Sequence, residues 1–263
     1  MKSHLRASLR AGRPVFGSWL QFGHRGVAEV MARSGFDWIG IDLEHSGIGI
    51  ETACELIQVI ELANCVPLVR LSANDPVQAK RVMDAGAHGV IVPAVQSAAE
   101  AERAVKSVAY PPAGSRGVGL ARAQGYGLRF QEYLREVGEY AVLVVMIEHR
   151  NGVDQLEKIL RVPGVDAVFV GPYDLSASYG IPGELDHPVM GDAMTRILKA
   201  SRAAGVAAGI HVVHPPVDQV RKRIAEGFRF IAYSGDMLLL APALQEVAKQ
   251  LCGLREQSGL KAQ

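Results

Sequence analysis

Eight short apolar runs, spread along nearly the whole chain and separated by amphipathic stretches, leave few folds open. The runs cover residues 15–20, 38–43, 67–71, 89–93, 142–147, 167–170, 206–211 and 228–233. They are rich in β-branched residues and almost purely apolar, as strands covered on both faces must be. Stretches with helical spacing lie between them, at 26–32, 51–63, 76–85, 98–109, 153–160, 189–204 and 216–226. Asp75 before Pro76 reads as a helix cap followed by a first-turn proline. Gly35, Gly86, Gly205 and Gly227 read as helix ends. Eight strands in this rhythm predict an α/β fold, a (β/α)8 TIM barrel, as one domain over residues 1–263. No Gly-x-Gly-x-x-Gly or Walker sequence follows the first run, which counts against an open nucleotide-binding sheet.

Charge and cysteine usage exclude several classes of partner. A net charge of +1 gives no reason to expect nucleic acid or an acidic membrane surface. No apolar stretch is long enough to span a bilayer, and Met1-Lys-Ser-His-Leu-Arg-Ala lacks the apolar core of a signal peptide. Cys54, Cys65 and Cys252 have no metal-binding spacing. They read as reduced thiols, with packing the expected role of Cys54 and Cys65, and the expectation is a cytoplasmic protein.

In a parallel barrel the C-terminal strand ends form one rim. Two successive runs end there in acids, Val142-Leu-Val-Val-Met-Ile-Glu148 and Ala167-Val-Phe-Val-Gly-Pro-Tyr-Asp174. Two carboxylates converging at the end of buried strands suggest a site for a hard divalent cation. The same rim gathers Asp42-Leu-Glu-His45, Arg70, His149, His211 and His214. Each alone has an ordinary structural explanation; together they point to an enzyme. One segment breaks the rhythm. Residues 110–129 form a long Gly/Pro-rich loop carrying Arg116, Arg122 and Arg129. Such loops are commonly functional, and this one is expected to cover the site or to contact a neighbouring subunit.

Several phrases carry a resemblance. They are Gly35-Phe-Asp-Trp-Ile-Gly-Ile-Asp-Leu-Glu-His45, Pro67-Leu-Val-Arg70, Asp84-Ala-Gly-Ala-His-Gly-Val-Ile-Val-Pro93, Tyr110-Pro-Pro-x-Gly-x-Arg-Gly117, Ile147-Glu148 and Gly171-Pro-Tyr-Asp-Leu-Ser176. In this order and spacing the chain resembles the HpcH/HpaI aldolase family, metal-dependent class II pyruvate aldolases, over nearly its whole length. The resemblance implies a lyase that cleaves or forms 4-hydroxy-2-oxo acids, giving pyruvate and an aldehyde through a metal-stabilised pyruvate enolate. It implies Glu148 and Asp174 as metal ligands and Arg70 on the oxygen where charge develops. It implies His45 as the base that takes the C4 hydroxyl proton, with Asp42 orienting its imidazole. Gly171, Pro172, Tyr173 and Asp174 are implied to hold pyruvate, and Asp84 to support a subunit contact. Arg122 is left between binding the distal end of an acidic substrate and contacting a subunit. The assembly implied is a homo-hexamer, a trimer of dimers, in which a C-terminal helix at 238–252 packs on a neighbour.

An all-oxygen ligand pair suits Mg²⁺ or Mn²⁺, with Co²⁺ also possible and no organic cofactor needed. Zn²⁺ would draw histidine or cysteine, for which His149 and His211 are the candidates. None of the eight lysines falls at the C-terminal end of a predicted strand, so a Schiff-base route has no nucleophile. Met146 departs from relatives that place Gln two residues before the metal-binding Glu. Two alternatives stand beside the aldolase. One is a related carbon–carbon lyase or oxaloacetate decarboxylase of the citrate-lyase β type. The other is a barrel without catalysis that serves binding or assembly. The aldehyde itself is not legible.

Overall fold

A computed structural model describes residues 4–213 and 216–257, and the eight apolar runs pair in it side by side into one closed barrel. The first half of the chain supplies α1 (Leu5–Arg10), β1 (Val15–Leu20), α2 (Arg25–Arg33), β2 (Trp38–Asp42), α3 (Ile50–Leu62), β3 (Val66–Arg70), α4 (Pro76–Asp84), β4 (Gly89–Val92) and α5 (Ala98–Val108). The second half supplies α6 (Phe130–Tyr140), β5 (Val142–Ile147), α7 (Arg150–Asp154), α8 (Leu156–Ile159), β6 (Ala167–Val170), α9 (Pro172–Ser178), α10 (Pro188–Ala204), β7 (Ala207–Val212), α11 (Asp218–Glu226), β8 (Phe230–Gly235) and α12 (Asp236–Gln257). Neighbouring strands are parallel throughout, and β8 closes on β1 with a register shift between Gly17 and Trp19. The expected TIM barrel is therefore the observed fold.

Two apolar layers hold it. Residues such as Ile39, Ile41, Val69, Val145 and Ile147 face outward and pack under the helices. The alternate residues face inward: Trp19, Trp38, Leu68, Val144, Met146, Phe169 and Phe230. The inner layer is unusually aromatic. Trp38 stacks on Phe230 with ring centroids 4.4 Å apart, and Trp19 meets Trp38 and Phe169 edge-on at 6.0 and 5.8 Å. Such rings need room. A Cβ at Gly17 would collide with the Trp38 indole, so the glycine on β1 makes space for the tryptophan on β2.

Local signals explain most element ends. The Asp75 carboxylate accepts from Val77 N–H at 2.8 Å, with Pro76 at the first helical position. Gly205 and Gly227 close α10 and α11 in the left-handed conformation. The predicted helix at 153–160 is two short helices, because His149 caps a start at Arg150 and the chain breaks at Gln155. Three helices lacked a prediction: α1, α6 and α9. Among the described residues no helix is long and apolar enough to cross a membrane. All three cysteines are free, and burial pushes the Cys65 thiol up to about 12, in keeping with packing.

The long loop corrects an expectation. It follows α5 and leads through α6 to β5, so it joins helix to strand and belongs to the N-terminal end of the barrel, opposite the rim. Arg116 is buried there, donating to Asp84 at 2.5 Å and to the Tyr133 hydroxyl at 3.0 Å, over the face of Tyr110. Arg122 pairs with Glu61 and donates to the Ala85 carbonyl just after α4. Within this chain, then, neither Arg122 nor Asp84 reaches the rim, and the loop covers no part of the chain's own site.

At that same end α1 closes the barrel floor. Leu5 and Leu9 join the inner core, and Arg6 reaches across to Asp166 at 2.7 Å and to the Gly138 carbonyl. Both partners are almost fully buried. Removing one member of such a pair leaves the other charge stranded, which typically costs about 3 kcal/mol or more. Arg6→Ala is therefore expected to lower the free energy of unfolding by about that amount in urea titrations at fixed protein concentration. An unchanged midpoint would show that the floor does not depend on this pair.

Candidate active site

Period-two alternation decides what stands at the mouth. On β1 the inward row runs Val15, Gly17, Trp19 and continues to Gln21. On β2 it runs Trp38, Gly40 to Asp42, and on β3 Leu68 to Arg70. On β5 it runs Val144, Met146 to Glu148, on β6 Phe169 to Gly171, on β7 Gly209 to His211, and on β8 Ala232 to Ser234. Above an apolar, aromatic floor the next inward layer is polar. A cavity of about 860 Å³ opens there, lined by Trp19, Gln21, His45, Arg70, Met146, His211, Ser234 and residues 171–174, and it continues outward along α10 and α11.

Asp42 and Arg70 are register partners on adjacent strands, so their side chains meet. Arg70 Nε donates to Asp42 Oδ1 at 2.9 Å and Nη2 to Oδ2 at 2.6 Å, a two-pronged ion pair. The guanidinium carbon lies 4.5 Å over the Trp19 ring. Asp42 is 0% exposed. Burial opposes its charge, but Arg70 and the backbone N–H groups of His45 and Glu44 outweigh burial and hold the carboxyl below its ordinary range. This revises one expected role. Asp42 accepts from the His45 backbone N–H at 3.2 Å, while the His45 ring is 61% exposed and its Nε2 lies 3.6 Å from Glu44. Asp42 thus orients Arg70, and its carboxylate is already spent on that arginine and on the turn after β2.

Glu148 stands at the end of β5. Its Oε1 accepts from Ala94 N–H at 2.6 Å, and Ala94 adopts a left-handed conformation (φ 53°) to present that group. Strain of this kind persists where surrounding structure enforces it, commonly at functional sites. Gly171 lets Glu148 approach closely: a Cβ there would lie 2.7 Å from Glu148 Oε2 and 2.9 Å from its Cβ. Burial, together with the negative charges of Glu44 and Asp174, pushes the Glu148 carboxyl up to about 6. Asp174 lies in the first turn of α9. Burial and the charges of Asp42 and Asp174 also raise Glu44, which lies 3.4 Å from Arg70.

The mouth therefore carries more negative charge than Arg70 balances, all of it on oxygen. Among the described residues no three His, Cys, Asp or Glu side chains gather at metal-binding distance. His149 is turned away to cap α7, its Nδ1 accepting from Asn151 N–H at 3.1 Å. His211 Nε2 donates to the Ser234 carbonyl at 2.9 Å. His214 lies outside the described residues. A donor set of two carboxylates with no histidine or cysteine fits a hard divalent cation that takes its other ligands from water and substrate. Gln21 had escaped notice in the sequence, although its position two residues beyond Trp19 on an inward row marks it.

Known proteins with this architecture give the chemistry a class. The family model for HpcH/HpaI aldolase/citrate lyase matches residues 16–243. The chain is 41% identical over 251 residues to a 4-hydroxy-2-oxo-heptane-1,7-dioate aldolase from Shigella sonnei, covering 94% of each chain. An HpcH/HpaI aldolase/citrate lyase family protein from Burkholderia cenocepacia superposes with a TM-score of 0.89 at 35% identity, over 95% of this chain and 99% of that one. An HpcH/HpaI aldolase from Desulfitobacterium hafniense gives a TM-score of 0.87 at 28% identity, each chain covered in full. The enzyme is accordingly a carbon–carbon lyase, a class II aldolase. With its barrel, its acidic mouth and these relatives, the chain belongs to the HpcH/HpaI aldolase/citrate lyase family.

Proposed function

We propose that the enzyme cleaves 4-hydroxy-2-oxo acids to pyruvate and an aldehyde, and joins them in reverse, with Glu148 and Asp174 holding Mg²⁺ or Mn²⁺. The observation that carries this reading is the excess of carboxylate oxygen over Arg70 at the mouth of the barrel. When bound, the cation supplies a Lewis acid that draws electrons from the breaking C3–C4 bond. The residues supply the rest. Arg70 is already fixed by Asp42 and Trp19, so its outer edge can meet the 2-oxo oxygen as negative charge grows there. The first turn of α9, with the N–H groups of Tyr173 and Asp174, faces the cavity and suits the pyruvate carboxylate. His45, exposed in the cavity, takes the proton from the C4 hydroxyl and returns one in the joining direction. Met146 and Phe169 form an apolar floor that keeps water from beneath the reacting carbons.

Self-association in the hexameric form implied by the resemblance fits α12, whose Leu240, Leu244, Val247, Leu251 and Leu254 form an exposed apolar stripe at helical spacing.

Two substitutions test the assignment. His45→Ala is expected to lower aldol cleavage by about 10²-fold or more while leaving oxaloacetate decarboxylation, which needs no such base, largely intact. Unimpaired aldol cleavage would remove His45 from its role. Gly171→Ala is expected to displace the Glu148 carboxylate and weaken metal affinity about tenfold, with rate restored by added Mn²⁺. An unchanged metal dependence in that variant would count against Glu148 as a ligand.

A further inference from the structure

Gln21 has no part in the reaction as assigned, yet it is built into the site from both ends. Its backbone N–H donates to both oxygens of Asp236, at 3.1 and 3.0 Å. The same carboxylate accepts from the N–H groups of Phe22 at 2.7 Å and Met237 at 2.9 Å. Asp236 is buried at the junction of β8 and α12, so the chain leaving β1 is fixed where it crosses the mouth. The side chain then turns inward, and Nε2 donates to Asp42 Oδ2 at 3.0 Å. A second approach, to the His45 carbonyl at 3.5 Å, is too long to contribute much.

The two oxygens of Asp42 are served differently. Oδ1 accepts from Arg70 Nε and from the backbone N–H groups of Glu44 and His45. Oδ2 accepts from Arg70 Nη2 and Gln21. Without Gln21, the one remaining donor to Oδ2 among the described residues is the group it is meant to position. With Oδ1 anchored by the two backbone N–H groups, the carboxylate and its guanidinium can still pivot about that oxygen, and a donor to Oδ2 from a third direction stops the pivot. Trp19 limits the guanidinium face from below but does not fix the Asp42 end.

We propose that Gln21 is a positioning residue for Arg70, acting through Asp42, and that Asp236 at the root of α12 sets Gln21 in place. The proposal rests on the assignment of Arg70 to the oxygen where charge develops. Misaiming Arg70 costs most when that charge is largest, so the loss falls on kcat more than on KM.

The experiment measures retro-aldol kcat and KM for the full-length enzyme, for Gln21→Met, which keeps the length and loses the donor, and for Gln21→Ala. Both are repeated in an Arg70→Lys background, with thermal unfolding as a check on folding. The expected result is a fall in kcat of about tenfold for Gln21→Met with KM changed less than about threefold. In the Arg70→Lys background, where the two-pronged fork is gone, the same substitution should cost less than about twofold, since residues acting as one unit are not additive. The proposal is overturned if Gln21→Met keeps wild-type kcat, if its effect lies in KM alone, or if its full cost persists in the Arg70→Lys background. Arg70→Lys itself with wild-type activity would instead overturn the reading of Arg70, and the proposal with it.

Discussion

A closed barrel of eight parallel strands gives each strand one inward-facing row, and that row must be filled from floor to mouth. Here the lower positions are filled by Leu5 and Leu9 from α1 and by a stack of Trp38, Phe230, Trp19 and Phe169. Large rings leave little freedom above them. The next residue on each row must stand at the mouth, and on every row but that of β4 it is one of Gln21, Asp42, Arg70, Glu148, Gly171, His211 and Ser234. The chemistry of the site is thus a consequence of the pleat. A one-residue slip in any strand would turn its site residue outward against the helices.

Charge at the mouth is arranged in two unequal parts. Asp42 and Arg70 satisfy each other and are locked by Trp19, Gln21 and the backbone of the β2 turn. Among the described residues Glu44, Glu148 and Asp174 share no comparable partner, and the first two are held above their ordinary carboxyl range by burial and by neighbouring carboxylates. A folded protein keeps such a cluster because something opposes it. Ala94 spends backbone strain to donate one N–H to Glu148, and Gly171 forgoes a side chain so that Glu148 can lie against β6. Both features place a carboxylate rather than stabilise a fold.

Much of this was legible in the sequence. Strand runs 15–20, 142–147 and 167–170 coincide with β1, β5 and β6, because apolar runs buried on both faces have sharp ends. Helix α6 goes beyond the expected elements although Phe130, Tyr133, Leu134 and Val137 follow helical spacing, because the Gly/Pro-rich stretch before them carries no helix-start signal. Of the two uses open to Arg122, binding substrate within its own barrel is ruled out by topology, and Asp84 lies at the same end. Asp84 ends α4 and Arg122 lies between α5 and α6, and both segments run back to the end of the barrel away from the site, where they pair with Arg116 and Glu61. The role of Asp42 could not be read from spacing, because three residues separate it from His45 while register alone pairs it with Arg70.

On the proposed function, the acidic mouth holds a divalent cation beside Arg70 for enolisation of pyruvate. The most direct test is proton exchange at the pyruvate methyl group in deuterated buffer, followed by NMR without any aldehyde. Exchange is expected with Mg²⁺ or Mn²⁺, with its loss on chelation, its return on adding metal, and little exchange in Glu148→Gln at metal concentrations that saturate the wild type. Exchange that persists at full rate after chelation, or in Glu148→Gln, would contradict that function.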